Sequence, residues 1–162
     1  MADVEMTTES TVYVTYIAST REKVWAALTS SEFTRQFFFG RAVESDWKQG
    51  SSWKLVRPDG AVDVFGEVRL SDPPNKLVLS WNVDGPPEIK NLPECIVTYE
   101  LEPVGSDVVR LTMTEAHPTP IPKHLLEGGR RGWPMILSGL KSLLETGKPL
   151  PMPIPQPPKE KP

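Results

Sequence analysis

Apolar and polar positions alternate in STVYVTYIA, residues 10–18, and the run is rich in β-branched and aromatic residues, the composition of a strand. The pattern then changes period. In STREKVWAALTSSEFTRQFF, Val24, Trp25 and Leu28 fall at helical spacing, and Phe33 and Phe37 continue the stripe. Ser19 and Glu22 have the spacing of a capping box, and Thr29 and Glu32 repeat it. Two short helices are therefore predicted, with a break near Thr29 to Ser31 and with Gly40 as the second C-cap.

From Arg41 to His117 the period returns to two. The runs AVESDW, SSWKLV, VDVFGEVRL, KLVLSWNV, ECIVTYELE and DVVRLTMTEAH are separated by turn residues: RPDG at 57–60, DPPN at 72–75, and Gly105 with Ser106. A longer polar loop spans 84–93. Connections this short force antiparallel pairing, because a parallel pair needs a crossover of a dozen residues or more. Leu77, Leu79, Trp81 and Val83 share one face, as do Val97, Tyr99 and Leu101, and then Val109, Leu111 and Met113. Arg110, Thr112 and Thr114 take the opposite side. A sheet apolar on one face must be covered there.

The cover is the C-terminal run GGRRGWPMILSGLKSLLETG, residues 128–147. Trp133, Ile136, Leu137, Leu140, Leu143 and Leu144 fall in a stripe about 120° wide on a helix. Gly128, Gly132 and Gly139 form a second line beside it. Glycines there allow close approach of a strand or leave room for something that is not protein. Pro134 either kinks this helix or begins it, with a start near Gly132. The expected domain is 10–147, preceded by a flexible N-terminus, 1–9, and followed by a disordered proline-rich tail, 148–162. Pro155 to Lys159 resembles a proline-rich docking motif for a protein partner.

Charge narrows the classes of function. A net charge of −3 gives no basic face for a phosphate backbone, so nucleic-acid binding is not expected. No run of about 18 apolar residues offers a membrane span. The N-terminal MADVEMTTES has no basic-then-apolar layout of a secretory signal, and the single cysteine, Cys95, can form no intrachain disulfide. Both fit a cytoplasmic protein.

The order of elements is that of a helix-grip fold. VYVTYIASTREKVWAALTSSEFTRQFF, the DG turn of RPDGAVDVFGEVRLSDPPNKLVLSW, VTYELEP with VVRLTMTEAH, and GWPMILSGLKSLLETG resemble the heat shock protein 90 ATPase activator homologue-like family, within the START and birch-pollen-allergen (SRPBCC) superfamily. The resemblance covers roughly residues 10–147, and Pro134 departs from the family's pattern. It implies an α+β domain: a curved antiparallel sheet of about seven strands, two short helices, and a long C-terminal helix packed over the sheet. An apolar cavity between helix and sheet is implied too, with a stress-response role and no cofactor. Around that cavity Phe37, Phe38, Trp53, Trp81, Tyr99, Met113, Glu115, His117, Trp133 and Leu137 are expected to meet a small apolar or amphipathic molecule.

Candidate chemistry is sparse. His117 and Glu115 share strand parity with Leu111 and Met113, so either they form a polar end to the pocket or the strand frays before Pro118. As a pair they could serve acid–base catalysis in a cyclase- or hydrolase-type enzyme. Cys95, His117 and His124 lack paired ligand spacing, so no metal is expected. GGRRG resembles an anion-binding helix start, with Arg130 and Arg131 beside free backbone donors. Three classes remain open: a non-enzymatic binder, an enzyme using Glu115 and His117, and a co-chaperone or protein-interaction module.

Overall fold

The computed structural model describes residues 4–85 and 92–151. Its main sheet is antiparallel and seven strands wide. The strands β3 (Ala42–Ser45), β4 (Ser52–Val56), β5 (Val62–Asp72), β6 (Lys76–Val83), β7 (Cys95–Val104) and β8 (Val108–Ala116) form a meander. The opening strand β2 (Thr11–Ile17) closes onto β8, with Tyr13 opposite Met113. Helices α1 (Arg21–Thr29) and α2 (Ser31–Phe37) link β2 to β3, and α3 (Lys123–Thr146) covers the apolar face. This is the α+β helix-grip arrangement. Register shifts between Leu55 and Val56 and between Val68 and Leu70 add local bend and twist.

The apolar faces read from alternation are buried: Leu77, Leu79, Val97, Tyr99, Leu101, Val109, Leu111 and Met113 all join one core with Ile17, Val24 and Leu28. Ser80 breaks the rhythm. It is buried because its hydroxyl accepts from the Glu67 amide and its carbonyl accepts from the Trp53 indole at 2.8 Å. Gly66 permits that contact, since a Cβ there would lie 2.0 Å from the Ser80 carbonyl oxygen.

Several local expectations need correction. Thr20, not Ser19, caps α1, its hydroxyl accepting from the Lys23 amide. Phe38, not Gly40, is the C-cap of α2, and the chain turns through left-handed backbone at Phe39 (φ 51°) and Gly40 (φ 79°). Trp47 lies beyond β3 with φ 59°, so AVESDW is a strand only as far as Ser45. The helix α3 does not begin near Gly132 with Pro134 in its first turn. It starts at Lys123 and carries Pro134 inside. Arg130 and Pro134 both lie on the exposed side, so water can serve the Arg130 carbonyl that loses its intrahelical donor. The same start places GGRRG within the helix, where its amides join the ladder, so no free backbone donors collect for an anion.

Two further pairings were not foreseen. Met6–Thr7 (β1), in the stretch read as flexible, pairs with Ile121–Pro122 (β9) just before α3. Beyond the Gly147 cap, the Lys148 carbonyl accepts from Ser142 Oγ at 2.8 Å, and Pro149 and Leu150 wall a small pocket with residues of α2 and α3. The docking motif expected at Pro155 to Lys159 lies outside the described residues.

Candidate ligand-binding site

One cavity of about 440 Å³ opens between the N-terminal half of α3 and one end of the sheet. Its walls follow from the strand register. That end is where β6 and β8 finish and β7 begins, so Trp81, Val83, Cys95 and Glu115 meet there, with His117 just past β8. From α3 come Leu125, Gly129, Gly132, Trp133 and Ile136; Phe38 and Phe39 enter from the turn after α2. Leu92, Pro93, Val64 and Ile121 complete the apolar lining, and Arg41 and Asp63 add charge.

Aromatic rings form the floor. The Trp81 and Trp133 centroids are 5.3 Å apart, and Phe38 meets Trp133 edge-on at 5.7 Å. Trp53 sits behind Trp81 at 4.8 Å, held by its Ser80 hydrogen bond, and Tyr99 supports Trp133 at 6.5 Å. Such offset and edge contacts are each worth about 0.5–1.5 kcal/mol beyond area burial, so the wall is stiff before any ligand arrives. The left-handed Phe39 backbone costs of order 1 kcal/mol and turns this residue to the cavity, a place a continued helix would not give it.

Polar groups are confined to two clusters. In one, Arg41 grips Asp63 through Nη2 at 2.7 Å and Nε at 3.0 Å, both side chains largely buried. In the other, Glu115 on β8 and His117, one residue past the strand's end, both keep the inward parity of Leu111 and Met113 and reach the cavity. His117 Nε2 lies 3.4 Å from Glu115 Oε1. Burial raises the Glu115 carboxyl above its ordinary range, against the pull of Arg130 and the Trp133 indole. Burial also lowers His117, helped by Arg130, and so favours the neutral imidazole. The Cys95 thiol is pushed up to about 12, mainly by burial and then by Glu115.

Of the residues expected from sequence, Phe38, Trp81, Glu115, His117 and Trp133 line this cavity together. Trp53 and Tyr99 stand behind its aromatic floor. Phe37, Met113 and Leu137 do not line it: Phe37 faces α3 at Gly139, while Met113 and Leu137 are packed in the core further along. The glycine line also divides. A Cβ on Gly132 would meet nothing within 4 Å, whereas one on Gly139 would lie 3.3 Å from Phe37 Cβ. Gly139 therefore lets α2 approach and does not line this cavity. Arg41, Asp63 and Cys95 were missed. For Cys95 the signal was cross-strand: Val97 pairs with Glu115 and Ile96 with Ala116, so one further rung sets His117 opposite Cys95.

The sequence profile of the family described as "Activator of Hsp90 ATPase homolog 1-like protein" matches residues 18–145. The chain belongs to this family. Among solved structures of the same fold, a protein of the dynemicin biosynthetic locus, DynU16, superposes with a TM-score of 0.72 at 25% identity, over 86% of this chain and 48% of its own. Protein MLL2253 from Mesorhizobium loti gives 0.71 at 23% identity, over 84% and 96% of the two chains. PFC0360w, an HSP90 activator from Plasmodium falciparum, gives 0.63 at 22% identity, over 76% and 86%. No curated protein gave a significant match. Among the described residues, no helix is long and apolar enough to cross a membrane.

Proposed function

We propose that this protein binds one small, largely apolar molecule with a polar end in the cavity under α3. The observation that carries this reading is the division of the lining. Phe38, Trp81, Trp133 and Ile136 form an apolar wall, while charge is restricted to Arg41–Asp63 and Glu115–His117. A volume near 440 Å³ lies in the range of small-molecule sites, about 300–1,000 Å³. An occupant would rest its apolar body on the indoles and turn its polar group to one of the two clusters.

Gly132 supplies the test, because it lines the cavity with open space above its Cα. The wild-type protein should enhance ANS fluorescence. Gly132→Leu should abolish that enhancement at an unchanged melting temperature, its side chain filling the space. Equal ANS binding by a folded Gly132→Leu protein would remove the cavity as the site.

Family membership supports a second reading, activation of a chaperone ATPase. That activity would use an exposed surface and should survive Gly132→Leu, which separates it from cavity binding. The pairing of Glu115 with His117 supports a catalytic variant of the first reading, in which both residues move a proton on the bound molecule. Turnover lost in Glu115→Gln with binding retained would identify it.

A further inference from the structure

We propose that Cys95, Glu115 and His117 together bind one divalent cation of the zinc class, held at the polar end of the cavity with an open coordination position facing it. The first observation is an unmet need. His117 is only 6% exposed, and neither Nδ1 nor Nε2 has a hydrogen-bond partner among the described residues; Glu115 Oε2 is buried in the same condition. Leaving such a group unpaired costs about 1–3 kcal/mol, and native structures rarely carry several in one place.

Geometry supplies the second. His117 Nε2 and Glu115 Oε1 approach to 3.4 Å without forming a hydrogen bond. An imidazole nitrogen and a carboxylate oxygen held side by side this way can both turn a lone pair to a shared cation. Zinc–nitrogen and zinc–oxygen bonds of about 2.1 Å at a tetrahedral angle set these atoms ~3.4 Å apart. The Cys95 sulfur, a carboxylate oxygen and an imidazole nitrogen all lie within 4.8 Å of one another. Zinc would set sulfur ~3.6 Å from the other two, a closure that side-chain rotation can supply.

The scaffold and chemistry agree. The cation would sit on two hydrogen-bonded strands, Cys95 opening β7 and Glu115 near the end of β8, with His117 one rung beyond their ladder. Rigid strands fix ligand positions better than loops do. Sulfur, nitrogen and oxygen together favour zinc or cobalt over calcium or magnesium, which take oxygen ligands. Three protein ligands leave a fourth position for water or a ligand atom, as in catalytic zinc sites. Gly129 keeps the approach open, since a Cβ there would lie 3.4 Å from Glu115 Oε2.

A neutral His117 offers a lone pair, while burial holds Cys95 and Glu115 toward their protonated forms, so binding must release those protons to solvent and tightens as pH rises. Arg130 opposes a cation electrostatically, but its Nε donates to Thr11 at 2.8 Å and its Nη2 lies 3.4 Å from Glu9 Oε2.

The experiment is titration of chelator-treated full-length protein with Co²⁺, followed by optical spectroscopy, and competition with Zn²⁺. One cobalt per chain is expected, with the intense visible bands of tetrahedral coordination and a sulfur-to-cobalt charge-transfer band. Because Cys95 is the only cysteine, that band names its ligand without any variant. Zinc should displace cobalt and raise the melting temperature. Cys95→Ser should lose the charge-transfer band, and His117→Gln should weaken cobalt binding at least about tenfold. Absence of the band from wild-type protein overturns the site. So does cobalt binding that survives both substitutions unchanged. ANS binding is read separately, so failure here leaves the cavity's apolar role standing.

Discussion

Glu145 joins the end of α3 to the chain leaving β2: its Oε2 accepts from the Ala18 amide at 2.7 Å and from Lys141 Nζ at 2.7 Å. Those bonds favour the ionised carboxylate and hold it below its ordinary value of 4.5, the backbone amide contributing most. A depressed carboxylate contributes stability above its unfolded-state value and loses it as pH falls through the folded one. The denaturant midpoints of wild type and Glu145→Gln should therefore differ most above pH 4.5 and converge on acidification. A gap that stays constant with pH would assign the effect to shape. Trp133 tests packing at the same scale. Its ring is buried among Phe38, Trp81 and Tyr99, so Trp133→Ala should cost about 3–5 kcal/mol in urea unfolding. An unchanged midpoint would show that the ring contributes nothing to the core.

Between elements, α3 does two jobs along its length. Its second half packs, with Leu137, Leu140 and Leu143 buried and Gly139 admitting α2. Gly139→Leu should overpack against Phe37 and lower stability by about 1–3 kcal/mol, read from the urea midpoint. Its first half stands off the sheet, with Gly129 and Gly132 at the cavity. Pro134 falls between the halves on the exposed side. Pro134→Ala should restore a helix donor and raise stability by up to about 3 kcal/mol, with the melting temperature as readout. A fall would mean that α3 needs a bend at this point. Alternation and helical spacing made both faces legible in advance. They did not reveal where along α3 contact gives way to space, because periodicity fixes direction around an axis and says nothing of distance from the neighbour. Met113 and Trp81 share the inward face, yet one is fully packed and the other lines the cavity.

Across the whole molecule, the described residues that flank the domain are held to it, Met6–Thr7 by β9 and Lys148 by Ser142. Leu150 and Pro149 are partly buried and wall a small pocket of about 190 Å³ together with Phe37, Phe39 and Met135. A chain ending at Gly147 should melt about 2–4 °C below one ending at Pro151, the loss of roughly 1 kcal/mol from a half-buried leucine. Equal melting temperatures would show that these residues add nothing. The seven strands of the sheet, the two short helices and the covering stripe were legible in the chain, because each is written in local periodicity and turn chemistry. Strand parity offered an inward direction for Glu115 and His117 as one of two readings, and the structure chose it over fraying. Folding alone placed Cys95 across from His117, brought Arg41 to Asp63, and opened Gly132 rather than Gly139 onto the cavity. Register and helix placement are set by the packing of the whole core, which no local stretch encodes. Residues 22 positions apart, such as Cys95 and His117 or Arg41 and Asp63, carry no local mark of their meeting.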